Sequence, residues 1–194
     1  MNCIHQHTQE LLSNYERYFP KESHRFALLK RQLDSDPSLF KRSNMVGHVT
    51  SSAAVLTTDS TRILLIQHAF LKKWITPGGH YEEADDLFAS ALREVKEETG
   101  VENASPHPWT LANMIPLDID SLEVPDRPEK GESAHVHHDF LFLAVAPLNF
   151  SLKAQLSEVH QAIWAPVKTL ENSSDRRVQL LYQKLARIKA IAKL

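Results

Sequence analysis

The segment from Gly79 to Val101, GHYEEADDLFASALREVKEETGV, constrains the fold of this 194-residue chain more than any other. Its apolar residues recur every four positions, at Leu87, Ala91 and Val95. This spacing is typical of a helix with one buried side. Asp85 and Asp86 suit the first turn, where unpaired N–H groups favour a carboxylate, and Gly100 suits a left-handed residue after the last turn. The segment therefore predicts an amphipathic helix that ends at Gly100.

Three glutamates, Glu94, Glu97 and Glu98, fall within one arc of this predicted helix, beside its apolar stripe. Like charges one turn apart destabilise a helix by about 0.2–0.5 kcal/mol per pair. Arg93, four residues before Glu97, offsets only part of this repulsion. The carboxylates therefore favour another partner, and a hard divalent cation bound through oxygen is the natural one. For the acids taken alone, a solvated charged surface is the alternative interpretation.

The same segment resembles the Nudix box, G-x5-E-x7-R-E-U-x-E-E-x-G-U, in which U is a bulky aliphatic residue. The residues that match at the required spacing are Gly79, Arg93, Glu94, Val95, Glu97, Glu98, Gly100 and Val101. One position departs from the pattern, because Asp85 stands where the box has its first glutamate. The resemblance indicates a Nudix hydrolase.

That resemblance implies an α/β fold, the Nudix-type α/β/α sandwich with a mixed sheet. It also implies Mg²⁺- or Mn²⁺-dependent hydrolysis of a diphosphate bond in a nucleoside diphosphate linked to another group. The implied metal ligands are Glu94, Glu97, Glu98 and a carbonyl oxygen of Gly78 or Gly79. Arg93 would orient the glutamates with help from Asp85. Glu94 is the first candidate for the base that accepts a proton from the attacking water, and Asp139 or His137 are the alternates.

A Nudix-fold module that binds a nucleotide or phosphorylated metabolite without cleaving it is the alternative function. Family members that have lost catalysis usually show a degraded box, whereas the three acids are intact here, which favours an enzyme. The isomerase branch of the fold, which acts on prenyl diphosphates, resembles enzymes that need an active-site cysteine. The only cysteine, Cys3, lies far from the box in the sequence, which disfavours that branch.

The composition limits the kinds of molecule that we expect this chain to bind. A net charge of −2 provides no basic surface for nucleic acid and no polybasic membrane anchor. No apolar run approaches membrane length, the first residues lack an apolar signal core, and a single cysteine excludes an internal disulfide. We therefore expect a cytoplasmic protein whose partner is a small nucleotide or other diphosphate-containing substrate, with a homodimer left open.

The rest of the chain divides into two parts. Residues 1–44 predict an N-terminal helical hairpin that must dock on the main domain or on a second copy, and residues 45–194 predict the Nudix domain with a C-terminal helix capped by Ser174. The predicted strands are 52–58, 62–67, 74–76, 109–117, 135–145 and 159–164. Residues 118–134 are acidic and rich in turn-forming residues, which predicts a mobile loop beside the site.

Several residues outside the box are further candidates. Trp74 is predicted to stack on a base or ring of the substrate. Alternation puts His135, His137 and Asp139 on one face of their strand and His138 on the other, and we take His137 and Asp139 as auxiliary substrate-binding residues. The candidates for phosphate contacts are Lys72, Lys73, Arg127 and Lys130, and those for an additional metal ligand are Asp118, Asp120 and Glu123. For each of them a structural or solvated role is the alternative.

Overall fold

The computed structural model describes residues 3–82, 86–128, 131–148, 151–155 and 159–188. Asp85, which occupies the divergent box position, and Lys130, a candidate for phosphate contact, lie outside these described residues. Within the described ranges, no helix is both long enough and apolar enough to cross a membrane.

Helices cover both ends of the chain and connect parts of the sheet. They are α1 (Cys3–Tyr18), α2 (Ala27–Ser35), α3 (Leu87–Thr99), α4 (Pro108–Asn113) and α5 (Arg176–Arg187). Short 3-10 turns span Ser23–Phe26, just before α2, and Val167–Leu170, before α5. The strands are β1 (His48–Thr57), β2 (Arg62–His68), β3 (Trp74–Ile75), β4 (Gly78–His80), β5 (Ser105–Pro106), β6 (Asp118–Val124), β7 (His135–Ala146) and β8 (Val159–Pro166).

In the described part of the chain these strands form one mixed sheet in which β3, β2, β1, β7 and β5 follow one another. Strands β1 and β7 are parallel, with His48 opposite His137 and Thr50 opposite Asp139. The other pairs are antiparallel: β4 also pairs with β1, β6 with β7 and β8 with β2. The near-continuous burial of β1 and β2 follows from helices on both sides of the sheet.

The box segment forms helix α3 with the start and stop that its residues predict. The Asp86 side chain accepts a hydrogen bond from the Ala89 N–H at 2.7 Å, which satisfies one of the unpaired donors of the first turn. Gly100 ends the helix with φ of +72°, a left-handed conformation that favours glycine. Leu87, Ala91 and Val95 are completely buried against the sheet.

Two apolar cores lie on the two faces of the sheet, which confirms the predicted α/β/α sandwich. The first contains the apolar side of α3, Phe142 of β7 and the N-terminal helices. The second contains Leu181 and Leu185 of α5 packed with Leu143 and the apolar residues of β2. The side chains of Phe26 and Leu29 are fully buried in the first core, so the N-terminal hairpin docks on the sheet of its own chain.

Three predictions for elements after the box are wrong. Residues 108–113 form α4 instead of a strand, because His107 accepts the Trp109 N–H and Pro108 suits a first helical position. Residues 118–124 form β6, paired with β7, instead of a mobile loop. Helix α5 is capped by Asp175, which accepts the Arg177 N–H at 2.9 Å, instead of by Ser174.

Candidate active site at the edge of the sheet

The glycines of β4 bring the backbone against the carboxylates of α3. A Cβ built on Gly79 would lie 2.5 Å from Oε1 of Glu94, so only glycine leaves room for that carboxylate. The Gly78 N–H donates to Oε2 of Glu98 at 2.9 Å, and Glu98 is only 4% exposed. Two of the three box glutamates are therefore held at β4, one of them through a backbone hydrogen bond.

Arg93 connects the glutamates to one another and to the strand. Its Nη2 donates to Oε1 of Glu94 at 2.8 Å and to the carbonyl oxygen of His80 at 3.0 Å. Its Nη1 donates to Oε2 of Glu97 at 2.7 Å. One guanidinium thus fixes two carboxylates and the backbone of β4, using the fork of donors that only arginine offers. Its Nε is buried and has no hydrogen-bond partner among the described residues.

The environment of Glu94 favours a basic carboxylate. Burial raises the pKa of Glu94; the charge of Arg93 opposes this increase, and the nearby charge of Glu97 adds to it. Glu94 and Glu97 share one guanidinium, so an additional positive charge between them would be stabilising. Carboxylate oxygens on a rigid helix are the donors that hard divalent cations prefer.

Asp139 lies on the opposite face of the sheet from Glu94. Thr50 pairs with both His80 and Asp139, whereas Gly79, the neighbour of His80, faces Glu94. Because side chains alternate along a strand, His80 and Asp139 share the far face. Asp139 accepts hydrogen bonds from the Thr50 hydroxyl at 3.1 Å and the Ser52 hydroxyl at 2.7 Å. Burial raises the pKa of Asp139, and the hydrogen bond from Ser52 works against this increase.

On the same far face, four imidazoles form a histidine cluster: His48, His80, His135 and His137. The Nε2 atoms of His135 and His137 are 3.1 Å apart. Burial lowers the pKa of His137 to about 2 and that of His80 to about 3, so these rings are neutral at physiological pH. The sequence placed His135 and His137 on one face of their strand. It did not indicate His48, which lies beside them only because β1 pairs in parallel with β7.

Other predicted candidates have partners elsewhere. Trp74 is partly buried and packs on the α5 side of the sheet. The remaining contacts are Lys73 with Asp175, Asp118 and Asp120 with Arg25, His138 with Ser121 and Gln32, and Arg127 over the ring of Phe70. Asp118 and Asp120 are therefore occupied by an arginine, which opposes their suggested use as metal ligands.

Known proteins resemble this chain over most of its length. The family model described as the NUDIX domain matches residues 47–184. A relative from Lactococcus lactis subsp. cremoris, named "Probable DHNTP pyrophosphohydrolase", is 24% identical over 135 residues, which are 70% of this chain and 77% of that protein. "Nudix hydrolase 10" of Arabidopsis thaliana is 30% identical over 92 residues, which are 47% of this chain but only 27% of that longer protein.

Solved structures agree in fold. A NUDIX family hydrolase from Clostridium perfringens superposes with a TM-score of 0.53 at 20% identity, covering 73% of this chain and 97% of that one. A C. elegans Ap4A hydrolase in a binary complex superposes with a TM-score of 0.52 at 16% identity and the same coverage. At these identities the structural likeness establishes the fold alone. With the family match over residues 47–184, it follows that this chain belongs to the NUDIX domain family and is a pyrophosphohydrolase of the Nudix type.

Proposed function

We propose that this chain hydrolyses a diphosphate bond in a nucleoside diphosphate linked to another group, with Mg²⁺ or Mn²⁺ held by Glu94, Glu97 and Glu98. The observation that carries the proposal is the position of the box carboxylates, with Glu94 packed on Gly79 and Glu98 bonded to Gly78 at one edge of the sheet. A diphosphate brought to this edge would meet acids that are already ordered by Arg93.

The residues at this edge fit a hard divalent ion. The donors are carboxylate oxygens, and the missing side chain of Gly79 leaves the β4 backbone close enough for a carbonyl oxygen of Gly78 or Gly79 to join them. When bound, the ion would neutralise phosphoryl oxygens and lower the pKa of a coordinated water. The crowding of Glu94 and Glu97 around one guanidinium is the feature that such a cation would relieve.

The protein groups then have distinct tasks. Arg93 keeps Glu94 and Glu97 in place, which reduces the reorganisation needed when the substrate arrives. Glu94, whose pKa is raised by burial, is a stronger base than an exposed glutamate and is our candidate acceptor for the proton of the attacking water. As the box resemblance implies, we propose that Asp85 helps Arg93 to orient the glutamates.

The proposed substrate class is based on the family to which the chain belongs. We propose a nucleotide or nucleotide-sugar type of substrate. Trp74 and Asp139 were predicted to contact the part of the molecule beyond the diphosphate, but both lie on the side of the sheet away from Glu94, which opposes that use. The relatives are named for DHNTP and Ap4A respectively, and their names alone do not choose between substrates. His137 was predicted as a further contact, but its Nε2 faces His135, which favours the separate role argued below. A homodimer and a cytoplasmic location remain predictions.

The decisive variant is Glu98→Gln. Glutamine keeps an oxygen that can accept the Gly78 N–H but loses the negative charge that a metal needs, so the fold should persist while metal-dependent turnover falls about 100-fold or more. Release of phosphate or nucleotide from a panel of diphosphate substrates, with Mg²⁺ and with chelator, measures the effect.

Glu102→Gln is the matched control for that variant. Glu102 is an exposed glutamate just after the box, and it forms an ion pair with Lys96 at 3.3 Å. Its removal should leave turnover within about twofold, as expected for a surface ion pair. Full activity of Glu98→Gln, or turnover that survives chelation, would contradict the proposed metal site.

A further inference from the structure

The far face of the sheet holds a group of imidazoles with the geometry of metal ligands. One ring nitrogen from each of His48, His135 and His137 can be chosen so that all three lie within 4.8 Å of one another. His48 is 1% exposed and its Nε2 has no hydrogen-bond partner among the described residues. A buried polar atom without a partner costs about 1–3 kcal/mol, so its presence here requires an explanation.

The backbone determines which nitrogens are available. Nδ1 of His48 lies 3.0 Å from the carbonyl oxygen of Asn44, and Nδ1 of His135 lies 2.6 Å from the carbonyl oxygen of Ser133. A carbonyl oxygen can only accept, so each Nδ1 carries the proton and each Nε2 presents a lone pair. Protein metal sites commonly orient their histidines in this way, with the second nitrogen donating to a carbonyl.

The Nε2 lone pairs of His48 and His135 would be stabilised by one positive charge between them. With Nε2 of His135 an acceptor, His137 can donate one proton to it across the 3.1 Å contact. That single hydrogen bond still leaves Nε2 of His48 unsatisfied in a buried position. One cation bound by all three nitrogens would satisfy every lone pair at once.

We propose that His48, His135 and His137 bind a transition-metal ion, with Zn²⁺ as the first candidate, at a second site separate from the box glutamates. Neutral imidazoles suit Zn²⁺ and its neighbours in the first transition series, whereas Mg²⁺ prefers oxygen ligands. Three histidines leave a fourth position for water. His135 lines an open depression of about 480 Å³, which provides a route for the ion and that water.

The location of this site indicates what the ion does. His48 is the first residue of β1. His135 and His137 are the first and third residues of β7, the strand that pairs in parallel with β1. His80 packs against His48 and His137 with ring centroids 5.1 and 5.2 Å apart, and its carbonyl oxygen holds Arg93. An ion here would join the beginnings of two central strands and support the strand that carries the box arginine.

Calorimetric titration with Zn²⁺ is the first test. The wild-type chain should bind one Zn²⁺ in the presence of excess Mg²⁺, and His137→Gln should weaken that binding about 100-fold or more because one of three ligands is lost. His160→Gln removes an exposed histidine of β8 and should bind as the wild type does. Glu98→Gln should also retain Zn²⁺, which separates this site from the glutamates and from the proposed catalysis.

Binding that is unchanged in His137→Gln, or that disappears in Glu98→Gln, would overturn the proposal. X-ray absorption of the wild-type protein with one equivalent of Zn²⁺ gives an answer even if a histidine variant fails to fold. We expect nitrogen ligands at about 2.0–2.1 Å with outer scattering from three imidazole rings. A coordination shell of carboxylate oxygens without imidazole scattering would refute the site.

Discussion

Gly78 and Gly79 are neighbours in β4, yet the space that each leaves open serves a different purpose. A Cβ on Gly79 would meet the carboxylate of Glu94, the movable end of a side chain. A Cβ on Gly78 would lie 2.6 Å from Cα of Ser52 and 2.7 Å from the carbonyl oxygen of Ser51, which belong to the backbone of β1. An added methyl group is therefore expected to disturb the carboxylate site at Gly79 and the packing of the sheet at Gly78.

We predict that Gly79→Ala reduces turnover about 10- to 100-fold while the thermal midpoint changes little. The added methyl group displaces the Glu94 carboxylate from its place beside Arg93, and small displacements of catalytic groups have effects of this size. Steady-state kinetics with Mg²⁺ and a thermal melt measure the two effects.

Gly78→Ala is the comparison variant, and it should mainly destabilise the protein, by about 1–3 kcal/mol, because backbone atoms cannot move aside as a side chain can. If Gly79→Ala unfolds the protein and Gly78→Ala does not, the distinction between the two glycines is wrong.

At the scale of elements, α3 is the part of the molecule in which structure and chemistry depend on the same residues. Its apolar side is buried on the sheet, and its glutamates face the edge where β4 ends. Asp86 caps the helix through the Ala89 N–H, eight residues before Glu94. The cap therefore contributes to the stability of the helix without contacting the carboxylates.

We predict that Asp86→Ala lowers the free energy of unfolding by about 1 kcal/mol, because one N–H of the first turn loses its acceptor. Asp86→Asn retains an acceptor oxygen and should lose only a few tenths of that amount. Urea unfolding monitored by circular dichroism measures both variants, with an unchanged dependence on denaturant. Equal losses in the two variants would show that the capping hydrogen bond is not the cause.

At the scale of the whole molecule, a buried ionic network joins the two ends of the chain to the sheet. Lys184 of α5 is 7% exposed, and its Nζ lies 2.6 Å from Oδ1 of Asp118, 2.7 Å from Oε2 of Glu22 and 2.5 Å from the Tyr15 hydroxyl. Arg25 reaches the same Asp118 oxygen at 2.6 Å. Residues from α1, α5 and β6 therefore depend on one another.

Lys184→Met should destabilise the protein by about 3 kcal/mol, since it leaves the carboxylates of Asp118 and Glu22 with less positive charge in a buried place. Lys168→Met removes a lysine that is exposed in the 3-10 turn before α5, and its effect should stay within about 0.5 kcal/mol. Denaturant unfolding of both variants gives the comparison. Equal, small effects would mean that the network adds little to stability.

The network also predicts a dependence on pH. Burial by itself would raise the pKa of Asp118, but the hydrogen bonds and charges of Arg25 and Lys184 outweigh it and lower that pKa. The stabilisation is therefore complete above the pKa of an unfolded aspartate, about 3.9, and is lost as the pH falls through the lower folded value. The free energy of unfolding of the wild type should therefore exceed that of Asp118→Asn above about pH 4, and this difference should shrink at lower pH. A difference that stays constant with pH would contradict a lowered pKa of Asp118.

The local sequence pattern was sufficient to predict an element whose structure depends mainly on residues close to one another in the sequence. The spacing of Leu87, Ala91 and Val95 and the glycine at position 100 predicted α3, because helical contacts join residues three and four apart. Residues 109–117 and 118–124 were predicted incorrectly, because short segments take their conformation from what they pack on. The acidic composition of β6 concealed a strand whose aspartates are neutralised by Arg25, 93 residues away in sequence from Asp118.

The sequence by itself determined the family, the sandwich and the identity of the acids that we expect to bind metal. This was possible because all residues of the box are close together in the sequence, within one turn and one helix. Only the tertiary structure decided that the N-terminal hairpin docks on its own sheet, that Asp139 faces away from Glu94, and that four histidines meet. The reason is physical: His48 and His137 become neighbours only through the parallel pairing of β1 with β7, and no periodicity in either strand specifies its partner.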